Sequence, residues 1–143
     1  MNISPDTQGK SPGSVLILDD DKFLLDMYGV KFMHEGFTVQ TCLSTREALE
    51  CLRQGFSPDA IIFDLVMPEA DGFVFLQSLR SEHLAERASK IALTNQSSDS
   101  EKKKAEELGA DDFIVKATMI PSEVVSTVLR TIAHEKGEPV PAS

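Results

Sequence analysis

Several residue types that mark large classes of protein are scarce in this chain. Its 143 residues include no tryptophan, one tyrosine and two cysteines. No apolar run approaches the roughly 20 residues that a membrane-spanning helix needs, and residues 1–13 lack the apolar segment of a secretory signal. These absences favour a soluble, cytoplasmic protein that does not contact a membrane.

Basic residues are also few, since 14 Lys and Arg stand against 23 Asp and Glu. The resulting net charge of −9 would repel a phosphate backbone, so we expect no direct binding to nucleic acid. Cys42 lies in a predicted strand and Cys51 in a predicted helix, without the spacing of a metal site. We interpret both as small buried hydrophobic residues in a reducing compartment.

Short apolar runs alternate with helical patterns along most of the chain. Strands are predicted near 14–19, 37–42, 59–64, 90–94 and 112–115, and helices near 22–35, 44–54, 72–82, 99–108 and 121–135. Five βα units predict one α/β domain at 14–136, with a doubly wound, five-stranded parallel sheet. The expected strand order is 2-1-3-4-5, the (βα)5 flavodoxin-like arrangement. Residues 1–13 and 137–143 are polar, so we expect a disordered lead-in and a flexible tail without an output domain.

Carboxylates follow two of the predicted strands. Asp19 and Asp20 come after the apolar run 15–18, and Asp64 comes after the run 60–63. In the predicted order the first and third strands are neighbours, so these side chains would meet at one edge of the sheet. Such carboxylates repel each other by about 4 kcal/mol per pair at 4 Å and an effective dielectric near 20. The cluster therefore predicts a bound hard cation, which would be Mg²⁺ or, as a substitute, Mn²⁺.

Two further polar residues end strands at the same edge. Thr94 ends the fourth predicted strand and Lys116 the fifth. The threonine hydroxyl could bind a phosphoryl oxygen on Asp64, and the ammonium could pair with Asp64 or with its phosphate. Aspartate can carry a covalent phosphoryl group, which predicts phosphoryl transfer to Asp64. The alternative is structural: carboxylates that cap turns or helices, a turn-forming threonine and a solvent-exposed lysine.

These motifs resemble the CheY-like receiver domain of response regulators in two-component signalling. The match extends from Val15 to about Ala133. It includes Asp19-Asp20 after Leu-Ile-Leu, the segment Asp64-Leu-Val-Met-Pro-Glu-Ala-Asp-Gly72, Leu93-Thr94, and Gly109-Ala-Asp-Asp-Phe-Ile-Val-Lys116. The resemblance implies a phosphoprotein of a bacterial phosphorelay, in which Asp64 accepts phosphate from a histidine-kinase phosphohistidine.

The resemblance also assigns the metal ligands and the partners. Asp20 and Asp64 would bind Mg²⁺ directly, Asp19 would act mainly through water, and Val66 would offer its backbone carbonyl. The chain would be a signalling switch and not a classical enzyme, since it would assist only its own phosphorylation and dephosphorylation. A sensor histidine kinase or a phosphotransfer protein would act on it, and the downstream partner or output domain stays unknown.

The same resemblance implies a route for the signal. Thr94 and Lys116 would bind the phosphoryl oxygens. Phe113 matches the family's switch aromatic, which turns inward when Thr94 moves to the phosphate. The partner-binding face would change as a result.

Residues at the rim of the expected site depart from the family pattern. Asn95 stands where the residue is usually small, and Ala117 follows Lys116 where proline is frequent. A non-proline cis bond costs about 2.5–4 kcal/mol, so we predict a trans Lys116–Ala117 bond. Val66 and Gln96 occupy positions that tune loss of the phosphoryl group in the family. Because Val66 cannot orient an attacking water, we expect a long-lived phosphoaspartate.

Other functions fit the residues less well. A haloacid-dehalogenase phosphohydrolase needs a second aspartate two residues after its nucleophile, where this chain has Val66. A flavodoxin-like FMN protein needs a phosphate loop after the first strand, where Asp19-Asp20-Asp21 would repel the ligand. A pseudo-receiver, an interaction module not controlled by phosphate, stays open because of Asn95 and Ala117.

Two surface features have both a structural and a functional interpretation. The basic run 102–104 on the fourth helix is interpreted as a solvated face, with partner docking as the alternative. The first helix carries an apolar stripe that we interpret mainly as core, with kinase docking as the alternative; its members are Phe23, Leu24, Met27, Phe32 and Met33.

Overall fold

A computed structural model describes residues 12–94, 99–116 and 120–136, with the backbone alone at 135 and 136. Strands and helices alternate within it. The strands are β1 (Ser14–Leu18), β2 (Thr38–Cys42), β3 (Ala60–Asp64), β4 (Ser89–Thr94) and β5 (Asp112–Val115). The helices are α1 (Lys22–His34), α2 (Thr45–Arg53), α3 (Gly72–Glu82), α4 (Asp99–Glu107) and α5 (Pro121–Lys136).

The strands form one parallel sheet in the order β2-β1-β3-β4-β5, which confirms the predicted topology. The predicted domain limits, 14–136, stay a prediction. The expected lead-in, apart from residues 12 and 13, and the expected tail lie outside the described residues. No helix in the described ranges is long and apolar enough to cross a bilayer.

The central strands are buried on both faces, which explains why they appear in the sequence as continuous apolar runs. Successive side chains of a strand point to opposite faces. In β1, Leu16 and Leu18 therefore join a core cluster with α2 and α3, while Val15 and Ile17 join a second cluster with α1 and α5. The carboxyl ends of β1 and β3 are thus held rigidly side by side.

Polar caps fix where the helices next to that edge begin. Asp21 accepts a hydrogen bond from the amide of Leu24 at 3.2 Å, so it caps α1 as the structural interpretation predicted. Asp71 accepts from the amides of Phe73 and Val74, each at 3.0 Å, at the start of α3. Both caps help to set the loops that follow β1 and β3.

The first helix differs from the sequence interpretation. Phe32 is fully buried, but Phe23, Met27 and Met33 are exposed by 77%, 39% and 46%. The helix packs instead through Leu25, Tyr28, Gly29 and Phe32. Since these residues recur every three or four positions, they form one face. Leu24 packs at the margin of the same core cluster, whereas Phe23, Met27 and Met33 are left exposed.

Candidate functional site

Three carboxylates meet at the carboxyl edge of the sheet. Leu18 of β1 lies opposite Phe63 of β3, so the residues that follow them, Asp19 and Asp64, are neighbours. Asp19, Asp20 and Asp64 each offer an oxygen within 4.8 Å of the others. Asp19 and Asp64 are buried, whereas Asp20 is exposed. The cluster therefore combines two enclosed carboxylates with one that faces solvent.

Lys116 bridges the two buried carboxylates. Its Nζ lies 2.8 Å from Oδ2 of Asp19 and 3.1 Å from Oδ2 of Asp64. The side chain is only 15% exposed, so the solvent-exposed alternative for this lysine is wrong. At neutral pH three carboxylates and one ammonium leave a formal charge of −2. That excess favours a cation at this edge.

The charges in this cluster shift one another's protonation. Burial raises the pKa of the Asp19 carboxyl, and the Asp64 carboxylate adds to the rise, while Lys116 and the amide of Asp21 oppose it. Burial disfavours the ammonium of Lys116, but Asp19 and Asp64 together raise its pKa above the usual value. Lys116 thus stays charged, whereas the ionised form of Asp19 is disfavoured by its burial.

The loop after β3 holds Asp64 in place. Its Oδ1 accepts a hydrogen bond from the amide of Val66 at 3.1 Å, so the turn-forming interpretation of Asp64 is also correct. The amide of Gly72 donates to the carbonyl of Leu65 at 3.1 Å. A Cβ on Gly72 would lie 2.6 Å from the carbonyl oxygen of Asp64, closer than real Cβ atoms come. Only glycine lets α3 begin this close to Asp64.

Thr94 ends β4 at the same edge and is 4% exposed. Its Oγ1 is buried and has no hydrogen-bond partner among the described residues. Oδ2 of Asp19 is also buried, and its partner is the ammonium of Lys116 at 2.8 Å. A buried polar group without a partner costs about 1–3 kcal/mol, so the orphaned hydroxyl of Thr94 indicates that a ligand completes the site.

The remaining predicted site residues lie outside the carboxylate cluster or outside the residues that the structure describes. Val66 is 61% exposed on the loop that follows β3. Phe113 lies on β5 and is half-buried, with Nζ of Lys102 at 5.9 Å from the centre of its ring. Asn95, Gln96 and Ala117, and with them the Lys116–Ala117 bond, lie outside the described residues.

Sequence reasoning missed two features around the site. The close approach of Gly72 to Asp64 was not predicted, although a glycine directly after the helix cap Asp71 is a signal for it. The basic run was interpreted as a solvated face, and Lys103 and Lys104 are exposed, but the 4.4 Å contact between Lys104 and the ring centre of Phe73 was not predicted. Nothing in the spacing of the lysines predicts which ring they reach.

Comparison with known proteins decides the family. The family model described as the response regulator receiver domain matches residues 15–128. The chain belongs to this family. The receiver domain is a signalling domain of two-component response regulators and not a classical enzyme. The family assignment favours the signalling interpretation over the phosphohydrolase and FMN alternatives.

Curated relatives and solved structures agree with that assignment. The receiver domain is 31% identical to the regulatory protein VanRc of Enterococcus gallinarum over 114 residues, 80% of this chain and 47% of the relative. It is 30% identical to VanR of Enterococcus faecium over 122 residues, 85% of this chain and 51% of the relative. The chain therefore spans about half the length of the curated relatives it matches.

Solved receivers match over nearly their whole length. The chemotaxis protein CheY4 of Vibrio cholerae is 28% identical with a TM-score of 0.76, over 82% of this chain and 97% of that one. A response regulator described as putative from Chloroflexus aurantiacus is 31% identical with a TM-score of 0.76, over 86% and 99%. The receiver fold thus accounts for most of the described chain.

Proposed function

We propose that this receiver domain is a phosphorylation-controlled switch in which Asp64 accepts a phosphoryl group. The observation that carries the proposal is the meeting of Asp19, Asp20 and Asp64 within 4.8 Å under one bridging lysine. The donor is a phosphohistidine of a sensor kinase or of a phosphotransfer protein. Such a site supports phosphoryl transfer over a module that only binds partners.

The donor set fits Mg²⁺, or Mn²⁺ in its place. Carboxylate oxygens are the ligands of hard cations, and Mg²⁺ keeps several waters when it binds one or two carboxylates. Asp20 and Asp64 would bind it directly, Asp19 would act through water, and Val66 would contribute its carbonyl. Such an ion would offset charge on the transferred phosphoryl oxygens. Asp20 is exposed, so water would reach an ion held there.

In the transfer, the carboxylate is the nucleophile and positioned positive charge stabilises the phosphoryl oxygens. A carboxylate oxygen of Asp64 forms a bond to phosphorus while the phosphorus–nitrogen bond of the phosphohistidine breaks, and the freed ring nitrogen keeps the electron pair. Lys116 already lies 3.1 Å from Asp64, so it can bind a phosphoryl oxygen with a small movement. The unpartnered hydroxyl of Thr94 donates to another.

Phosphorylation changes the conformation because the phosphoryl contacts exist in only one of two conformational states. Phosphoryl contacts to Thr94 and Lys116 favour the state in which they form. Phe113 turns inward as Thr94 moves, and the face around α4 and β5 changes. The slow phosphoryl loss expected from Val66 stays a prediction of this scheme.

Acetyl phosphate tests the proposal, since it needs no protein donor. Incubation with Mg²⁺ is expected to add one phosphoryl group, measured by intact mass, and a chelator is expected to prevent it. Failure to form any adduct would favour the pseudo-receiver alternative.

The cost of the Asp19 charge leads to a stability prediction. In the presence of a chelator at pH 7, Asp19→Asn is expected to raise the free energy of unfolding by about 0.5–2 kcal/mol, the usual range for a single stabilising substitution. Lys116 keeps Asp64 as its partner, so no buried charge is left alone. Because the folded-state pKa of Asp19 is raised, its penalty is absent below the usual value of 3.8 and grows as pH rises.

Thermal unfolding across pH measures this effect. The advantage of Asp19→Asn is expected to shrink as pH falls toward 3.8, and Mg²⁺ is expected to stabilise the parent more than the variant. An asparagine variant that is less stable than the parent at pH 7 without metal would contradict the argument.

The exposed face of α1 is a docking surface for the phosphoryl donor. Phe23, Met27 and Val30 are exposed by 77%, 39% and 56% and share one face of the helix. Phe23 lies two residues after the cap Asp21, so this face begins beside the site. An apolar surface next to a buried acceptor suits a protein that must bring its phosphohistidine to Asp64.

Phe23→Ser is expected to slow transfer from a phosphotransfer domain by about tenfold, as loss of an aromatic anchor does at interfaces. The reaction with acetyl phosphate is expected to be unchanged, because the site itself is intact. Met33→Ser is the control, since Met33 is also exposed but lies about 15 Å further along α1. Equal slowing by both variants would argue against this surface.

A further inference from the structure

Helix α4 has little apolar surface against the protein. Its sequence, Asp99–Glu107, is DSEKKKAEE, and Ala105 is its one buried residue. Burial of an alanine stabilises a helix far less than the leucine and phenylalanine residues that anchor α3. Polar contacts must therefore contribute much of what holds α4 in place.

Two lysines that precede Ala105 in α4 each contact an aromatic ring. Nζ of Lys104 lies 4.4 Å from the ring centre of Phe73 in α3, and Nζ of Lys102 lies 5.9 Å from that of Phe113 in β5. Both distances are within the roughly 6 Å of a cation–π contact. Successive helical residues are about 100° apart, so Lys102 and Lys104 reach to opposite sides of the helix.

Both rings belong to the surroundings of one core cluster. Phe73 and Phe113 pack at the margin of the cluster that contains Ala105. Phe73 directly follows Gly72, whose backbone closely approaches the carbonyl of Asp64. One lysine is therefore anchored beside the candidate site, and the other on the proposed switch residue.

We propose that Lys102 and Lys104 form a clasp that holds α4 in the unphosphorylated state and limits how readily the phosphorylated state forms. The contact of Lys102 exists while the Phe113 ring stays beneath it and is lost when that ring turns inward. A contact made in one state alone biases the equilibrium toward that state. The effect on switching rests on the proposed function, whereas the clasp itself does not.

Lys103 provides a matched control for both lysines. It is exposed, and no described aromatic ring lies within cation–π range of it. Lys102→Gln, Lys103→Gln and Lys104→Gln each remove one positive charge, and glutamine has nearly the helix propensity of lysine. A general effect of lost charge would change all three variants equally, whereas loss of a ring contact would change only Lys102→Gln and Lys104→Gln.

Amide hydrogen exchange of α4, measured without any phosphoryl donor, tests the clasp. In Lys102→Gln and Lys104→Gln, the amide hydrogens of α4 are expected to exchange about two- to fivefold faster than in the parent. This is the factor expected from loss of an exposed cation–π contact. Lys103→Gln is expected to match the parent. No change in the first two variants, or an equal change in all three, would overturn the clasp.

Titration with beryllofluoride, a tetrahedral mimic of the phosphoryl group, in the presence of Mg²⁺ tests the effect on switching. Lys102→Gln is expected to bind it about two- to fivefold more tightly, and Lys103→Gln as tightly as the parent. This gain in affinity is expected to vanish when Phe113 is also replaced by leucine, because Lys102 then has no ring to contact.

The outcomes separate the two proposals. A parent chain that binds no beryllofluoride contradicts the proposed function and with it the effect on switching, and hydrogen exchange still decides on the clasp. A parent that binds, with unchanged affinity in Lys102→Gln, overturns the effect on switching alone.

Discussion

Replacing Gly72 by alanine is expected to lower the free energy of unfolding by about 3 kcal/mol, near the upper end for overpacked sites. The new Cβ would lie 2.6 Å from the carbonyl oxygen of Asp64 and 2.8 Å from Cα of Leu65. Both are backbone atoms, which cannot move aside as the end of a side chain can. Either α3 or the end of β3 must shift, and Asp64 shifts with it.

Gly29 provides the control for this substitution. It also lies in a helix and is buried, but a Cβ there would lie 3.4 Å from Cγ2 of Thr41, an ordinary contact. Gly29→Ala is expected to stabilise by about 0.5–1 kcal/mol through helix propensity. Urea unfolding of both variants measures the difference. Similar stabilities for the two would mean that Gly72 does not constrain the approach of α3 to Asp64.

The topology was predictable because it depends on features that sequence expresses strongly. The runs 15–18 and 60–63 are apolar at every position, which is typical of strands buried on both faces. Once the strand order is set, the carboxyl ends of β1 and β3 must be adjacent, and so must the aspartates that follow them. The juxtaposition of Asp19 and Asp64 follows from backbone geometry alone.

Features that depend on side-chain direction were not predictable in the same way. The sequence of α1, KFLLDMYGVKFMH, is apolar around most of its circumference, so periodicity does not tell which face is buried. The buried face is chosen by fit to the sheet and to α5, with which α1 shares a core cluster. Phe23 was therefore assigned to the core and is exposed.

Long cationic side chains are a second case. The position of Lys116 at a strand end predicted a partner near Asp64, but not the 2.8 Å contact with Asp19 that makes it a bridge. The lysines of α4 gave no signal at all, because a solvated lysine and one that covers a ring have the same sequence neighbours. Such contacts depend on rotamers and on residues distant in the chain.

Asp64→Asn is expected to reduce phosphorylation by about 10³-fold or more, the scale seen when a nucleophile is removed. The amide oxygen is a far weaker nucleophile than a carboxylate, but it can still accept the hydrogen bond from Val66. The substitution removes one of the two negative charges beside Lys116, and Asp19 still pairs with that lysine. The fold is therefore expected to be retained. Loss of reaction would then report chemistry and not unfolding.

Asp71→Asn is the matched control, since it makes the same chemical change seven residues along the same motif. Asp71 caps α3 through hydrogen bonds to two amides, and asparagine caps helices about as well as aspartate. The variant is therefore expected to fold and to be phosphorylated as the parent is. Circular dichroism of both variants checks that their folds are alike.

Location of the phosphoryl group by site-resolved mass spectrometry, after reaction with acetyl phosphate and Mg²⁺, tests the central claim most directly. The account predicts a single modified residue, Asp64, in the parent and in Asp71→Asn, and no modification in Asp64→Asn. A phosphoryl group on any other residue, or one that persists in Asp64→Asn, would contradict it.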